Sequence, residues 1–193
     1  MAYPVTQTFQ WLQFWGKTAQ DEWNQSRADC PYHPLLYHML DVAAVAGLVW
    51  DHCLSSQVRR RFEYALGSDA RTQVVFMSGA HDIGKACPGF QKKVPQLSQH
   101  IGCPFSKNDQ DRPHGFISAH VLSEVLGSCS GCAVLGQIVG GHHGVFPRSA
   151  DLLMGRDTLG DSCWDGTRKE LLQEFARTVG FDVNHEAQSM SEI

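Results

Sequence analysis

From Pro34 to Leu54 the apolar residues Leu36, Leu40, Ala43, Gly47 and Val49-Trp50 return at helical spacing and trace a broad apolar face over a run too long for a strand. Pro34 suits the first turn of such a helix. A face this wide demands cover from other elements, and the rest of the chain offers mostly helices. Phe9, Leu12 and Trp15 recur at helical spacing near the start, Arg59–Leu66 reads as a shorter, more charged helix, and Phe116–Leu126 places Ile117, Val121, Leu122 and Val125 on one side. Ala133–Val139 is a short apolar helix stopped by Gly140-Gly141, and Thr167–Val179 is amphipathic through Leu171, Leu172 and Phe175. Thr72–Ile83 is apolar throughout, so periodicity leaves buried strand and buried helix both open; we take it as helix. Cys87–Arg112 and Gly144–Gly166 lack periodicity and read as long loops, and a polar segment as long as the first is often functional. The expectation is an all-α helical bundle with long irregular loops.

At 193 residues, 42% of them hydrophobic, the chain has enough for one core, against a prior of ~150 residues per domain. A single domain over residues 1–193 is expected. The formal charge of -4 supplies no basic field to attract nucleic acid, so a polyanion would need local positive charge such as bound metal. Seven cysteines at irregular spacings do not resemble the paired framework of a small secreted domain, which points to a reducing cytoplasm. The N-terminus lacks a basic region followed by an apolar one, and the longest apolar run, Val42–Trp50, is under half of the ~20 residues that span a bilayer.

Histidine placement is the informative feature. His38 shares a helix face with Leu35, Val42 and Val45 and therefore points inward; alone it would more often be a satisfied core residue than a ligand. His81 and Asp82 follow the apolar run Val74-Val75-Phe76-Met77 and belong at the edge of the core. An ionised carboxylate there needs a partner. Lys85, at i+3, could form a helix-surface pair worth only ~0.2–0.5 kcal/mol, whereas a divalent cation would offset far more of the burial. His114 precedes a helix in Arg112-Pro113-His114-Gly115, and His142-His143 is flanked by Gly140-Gly141 and Gly144, a segment that as a mere flexible turn is equally well explained. Together, imidazoles and a carboxylate are ligands for manganese, iron, nickel or zinc, and on a helix neighbouring residues diverge by about 100°, so His81 and Asp82 can flank one ion.

The series His38, His81-Asp82, His114, His142-His143 resembles the HD phosphohydrolase superfamily. Within it, HPLLYHMLDVAAVAGLVW, GAHDIGKACPGFQ, RPHGFISAHVL and IVGGHHG are similar to the HD nuclease domain of the type I CRISPR-associated helicase-nuclease, over about Phe14 to Gly144. The resemblance implies an all-helical HD fold with two divalent transition-metal ions (Mn, Fe, Ni or Co, with Mg as a further candidate). His38, His81 and Asp82 would hold one ion; Asp82, His114, His142 and His143 would hold the other, with Asp82 as bridge. Lys85 would face the scissile phosphate or its attacking water. The implied reaction is hydrolysis of phosphodiester bonds in single-stranded DNA during CRISPR antiviral interference, and Lys92 and Lys93 are candidate strand contacts, although an ordinary solvated pair fits them as well. Implied partners are a CRISPR surveillance complex, a helicase domain in cis or in trans that alone would use ATP, and an inhibitor protein.

One departure stands out. The superfamily adds an aspartate from a late helix, and here Asp151, Asp157, Asp161, Asp165 and Asp182 lie on no clear apolar helical face. The chain is therefore expected to be the N-terminal fragment of a longer helicase-nuclease that lacks its last HD helix, with the His114 site better filled than the His38 site. Two rival functions remain: an HD phosphohydrolase acting on nucleotides or cyclic dinucleotides, and a catalytically incomplete docking module. Cys129 and Cys132 have metal or redox spacing but lack a second pair and are taken as structural thiols. His33, His52, His100, His120 and His185 are taken as non-ligands, and Trp11, Trp15 and Trp50 as core or interface.

Overall fold

A computed structural model describes residues 9–18, 32–126 and 130–183. After a 3-10 turn at Gln10–Gln13, strand β1 (Trp15–Thr18) pairs antiparallel with β2 (Tyr32–Pro34). Helices follow: α1 (Leu35–Leu48), continued by a π-helical turn at Val49–Cys53, then α2 (Ser56–Leu66) and α3 (Ala70–Gly79). A 3-10 turn, Ala80–Lys85, leads to the single turns α4 (Pro88–Gln91) and α5 (Pro95–Ser98). Then come α6 (His114–Leu126), α7 (Ser130–Gly140), a 3-10 turn at Ser149–Leu152, α8 (Arg156–Leu159) and α9 (Ser162–Val179). The architecture is the expected all-α bundle with long irregular loops. The Thr72–Ile83 run is helix over most of its length. Among the described residues no helix is long and apolar enough to cross a membrane.

Two helices depart from their expected start. α9 begins at Ser162 rather than Thr167, because Asp161 caps it: its carboxylate accepts from the backbone N–H of Cys163 (3.0 Å) and Trp164 (3.4 Å). The helix expected near Phe9–Trp15 is a 3-10 turn and a strand instead. Trp15 is drawn out of helical geometry because its N–H donates to Gln91 Oε1 (3.2 Å) and its carbonyl accepts from Gln91 Nε2 (3.0 Å). The register shifts between Trp15 and Lys17, so Gly16 forms a bulge.

Around α1 and α9 the core gathers Phe14, Leu35, Met39, Phe76, Ile83, Trp164, Leu171 and Phe175, all fully buried. Phe14 stacks on Trp164 at 5.5 Å, and Trp164 Nε1 donates to the Pro104 carbonyl (2.8 Å), which fixes the irregular segment after α5 onto α9. Trp11, Trp15 and Trp50 are buried, as the core reading expects. Cysteine pairing is a correction: Cys103 and Cys163 form a disulfide between that segment and the start of α9. Their separation of 60 residues gave no local signal. Cys129 lies outside the described residues, as do His185 and residues 184–193.

Candidate metal centre

Four elements bring their histidines to one carboxylate. His38 comes from the buried side of α1, His81 and Asp82 from the 3-10 turn after α3, His114 opens α6, and His142-His143 follow the end of α7. Because the His81-Asp82 pair sits on a 3-10 turn rather than an α-helix, the two side chains diverge by about 120° instead of 100°. Close backbone approach makes the convergence possible. A methyl group on Gly84 would collide with the His114 carbonyl and sit 2.6 Å from the Ser118 nitrogen; instead the Gly84 N–H donates to Ser118 Oγ at 2.9 Å. A Cβ at Gly115 would lie 2.6 Å from the Gly140 carbonyl, so α6 and α7 meet where His114 faces His142.

Asp82, 3% exposed, divides its two oxygens between two groups of histidines. Oδ2 lies 2.9 Å from His38 Nε2 and 3.3 Å from His81 Nε2; Oδ1 lies 3.0 Å from His114 Nε2 and 3.5 Å from His142 Nε2. His143 Nε2 is 3.0 Å and His142 Nε2 3.3 Å from His114 Nε2. Two clusters of candidate ligands result: His38, His81 and Asp82, and His114, His142 and His143, each with its ligand atoms within 4.8 Å of one another.

The tautomers explain what these clusters want. His81 Nδ1 lies 2.8 Å from the Ser78 carbonyl and His142 Nδ1 2.8 Å from the Val139 carbonyl, each three residues back. A carbonyl accepts only, so each Nδ1 carries a proton, and in the neutral tautomer of such a ring Nε2 is the lone pair that a cation on the Asp82 side would take. Burial holds His142 below the usual imidazole range, which keeps it in that neutral form. Lone pairs facing a carboxylate repel unless a cation lies between them. Two donors ~2.0–2.1 Å from a shared tetrahedral ion stand about 3.3–3.4 Å apart, and the observed separations of 3.0–3.5 Å bracket that value. Burial opposes ionisation of Asp82, but hydrogen bonding with His114 and His38 outweighs it and holds the carboxyl well below the carboxylate range. The donor set thus fits divalent metal.

Lys85 turns inward. Its Nζ lies 2.8 Å from Asp82 Oδ2 and donates to the Gly16 carbonyl at 3.0 Å, the carbonyl that the bulge in β1 presents. Lys92 donates to the Asp109 carbonyl, and Lys93 pairs with Asp111 (2.8 Å) over the Phe90 ring, so both lysines fasten the polar segment that leads to His114. Four of the late aspartates are engaged elsewhere: Asp151 with Arg148, Asp157 with Gln110, Asp161 as helix cap, and Asp165 with Arg156 and Arg168. Neither they nor Asp182 join a ligand cluster. His33 stands at the rim, its Nε2 2.9 Å from Asp41 Oδ2 and its ring 6.4 Å from that of His38. Sequence reasoning missed Gln91, whose Nε2 also donates to the Lys85 carbonyl (2.9 Å), and the bulge at Gly16; strand pairing of so short a segment left no periodic signal.

Residues 15–192 match the family model for the Cas3 HD domain. The chain is 31% identical over 164 residues to the CRISPR-associated endonuclease/helicase Cas3 of Thermus thermophilus, covering 78% of this chain and 18% of that relative. A solved CRISPR-associated protein superposes with a TM-score of 0.74 at 33% identity, over 88% of this chain and 20% of that one. A chain of a CRISPR RNA-guided surveillance complex in its pre-nicking state gives 0.64 at 27% identity, over 88% and 21%.

Proposed function

The chain belongs to the Cas3 HD-domain family, and from that premise we propose that it hydrolyses phosphodiester bonds of single-stranded DNA with two divalent transition-metal ions in CRISPR antiviral interference. One observation carries the reading: the two oxygens of Asp82 face separate histidine groups, His38 with His81 and His114 with His142, as a bridging carboxylate requires. His143 joins the second group through His114. When bound, a metal pair lowers the pKa of a water toward neutrality and clamps the attacking and leaving oxygens of an in-line displacement.

The chain's own residues prepare that chemistry. Ser78 and Val139 carbonyls fix the rings of His81 and His142 so that Nε2 faces inward, which removes the entropy of choosing a tautomer and an orientation. Lys85, buried beside Asp82, supplies a fixed positive charge behind the bridging carboxylate and on this reading acts on the phosphate only through it. His143 and the backbone of His142 form an outer edge at the surface, while the His142 ring is only 18% exposed, so on this reading a long strand lies across the outer edge of the centre. This openness favours a polymer over a mononucleotide, which would need an enclosed base pocket. Lys92 and Lys93 would then order the approach to His114 rather than grip the strand.

The surveillance complex would deliver the displaced strand, a helicase in cis or in trans would feed it, and the setting would be the cytoplasm. Digestion of circular single-stranded DNA with manganese or nickel, with Asp82→Ala as control, tests the reading. Metal-dependent cutting by the wild type alone supports it; hydrolysis of mononucleotides in its place, or no metal-dependent cutting, refutes it.

A further inference from the structure

Just past the ligand pair His142-His143, the chain displays an aromatic ring that the bundle does not use. Phe146 is 63% exposed and its neighbour Val145 is 64% exposed. Burial of a phenylalanine ring is favourable, so an exposed one on an otherwise anchored loop forgoes that gain. The loop is anchored. Pro147 is buried and packs on Gly140, where an added Cβ would lie 3.0 Å from its Cγ. Asp151 accepts from the Arg148 N–H (2.9 Å) and holds its guanidinium (3.0 Å), and His120 Nδ1 bonds the Leu152 carbonyl (2.9 Å).

The ring has a fixed seat as well. A methyl group on Gly141 would collide with Phe146 Cδ1 and Cε1, so one part of the ring rests on the backbone immediately before His142 while the remainder faces solvent. Arg148 is paired with Asp151 at 3.0 Å, and the exposed Val145 and Phe146 give the stretch between it and His143 an apolar surface. A flat, rigid, uncharged ring at the lip of a cation-binding centre is suited to an aromatic ligand whose anionic part sits on the centre. A nucleotide in a single strand has that shape, with phosphate at one end and a stackable base at the other.

Resting on the nuclease reading above, we propose that Phe146 is a base-stacking subsite that seats the nucleotide next to the scissile phosphate. Stacking of a base on an aromatic ring is sequence-tolerant, because every base has a π face, so the subsite would position strands without selecting their sequence.

The test compares Phe146→Ala and Phe146→Trp with the wild type on two strands of equal length in manganese: an ordinary oligodeoxynucleotide and one carrying only abasic sites. Phe146→Ala should raise KM for the base-bearing strand by ~5–150-fold and leave kcat/KM for the abasic strand unchanged, with wild-type metal content, and Phe146→Trp should restore the lower KM. The proposal is overturned if Phe146→Ala slows both strands alike, slows neither, or loses metal. A wild-type protein that cuts no base-bearing strand would sink the nuclease reading and this subsite together, whereas an active wild type with an indifferent Phe146→Ala sinks the subsite alone.

Discussion

Lys85 and Asp82, one 3-10 turn apart, meet at 2.8 Å with their side chains 10% and 4% exposed. A buried ion pair of this kind is costly to break from one side, because the remaining charge stays desolvated. Lys85→Met should destabilise the metal-free protein by roughly 1–3 kcal/mol, since it also leaves the Gly16 carbonyl unsatisfied. Adding manganese should shrink that loss, because a divalent cation replaces the missing positive charge at Asp82. Urea midpoints in chelator and in manganese measure both; equal losses in the two conditions would mean that no ion reaches Asp82.

Asp82→Asn keeps the shape of the side chain and removes the charge that both histidine groups face. Bound metal should fall from two ions to at most one by elemental analysis, and manganese-dependent cutting should drop by ~10³-fold, as expected for losing about 4 kcal/mol of metal-derived stabilisation. His143→Ala should empty the His114 group while leaving the His38 group able to bind, since His143 contacts Asp82 only through its neighbours. An intact wild type whose His38 group fills before the His114 group would reverse the expected order of occupancy.

Acid should act in two stages on the metal-free protein. His142 has a folded pKa below its ordinary value through burial, so its neutral form contributes stability above the unfolded value of ~6.5, and that contribution is lost as pH falls below it. Asp82 is also held low, so its contribution is complete above the unfolded value of ~3.9 and declines as pH drops toward its folded value. Urea unfolding across a pH series checks both, with Asp82→Asn flattening only the lower stage. With manganese present the upper stage should steepen, because protons and metal compete for the same Nε2 atoms.

The Cys103–Cys163 disulfide closes a loop of 60 residues that contains His114. Chain-entropy arguments put such a closure at about 4 kcal/mol. Reduction, or Cys103→Ser, should therefore lower the urea midpoint, and manganese affinity should weaken with it, because the segment before His114 loses its tie to α9. A midpoint unmoved by reductant would mean that the thiols are unpaired in solution.

The division between legible and hidden features follows the range of the interactions. α1, α6 and α9 are legible because each writes its buried face into its own residues, and the convergence of His38, His81, His114, His142 and His143 around Asp82 because the family resemblance sets those residue types in order along the chain. What stayed hidden rests on partners far along the chain. Trp15 reads as helical by spacing and becomes strand through Gln91, 76 residues away. Lys85 reads as substrate-facing by motif, yet the Gly16 carbonyl, 69 residues away, holds it inward. Cys103 and Cys163 have no local signal of pairing, and the exposure of Phe146 follows from how its loop is anchored, which apolarity alone does not announce.

Gln91 concentrates this long-range dependence in one side chain and supports a last prediction. It is 0% exposed; its Oε1 accepts from the Trp15 N–H, and its Nε2 donates to the carbonyls of Trp15 (3.0 Å) and Lys85 (2.9 Å). Those bonds hold β1 against the turn that bears Asp82, and β1 in turn presents the Gly16 carbonyl to Lys85. Gln91→Leu fills similar volume but strands one buried donor and two acceptors, at ~1 kcal/mol or more apiece. A loss of roughly 3 kcal/mol in urea unfolding is expected, together with weaker manganese binding, because Lys85 and Asp82 lose the strand that fixes them. Gln91→Glu should recover part of the stability, since one oxygen can still accept from Trp15, yet place a second carboxylate near Asp82. A Leu variant that unfolds at the wild-type midpoint would show that β1 is held by Phe14 and Trp15 packing alone, and that the strand contributes nothing to the geometry of the centre.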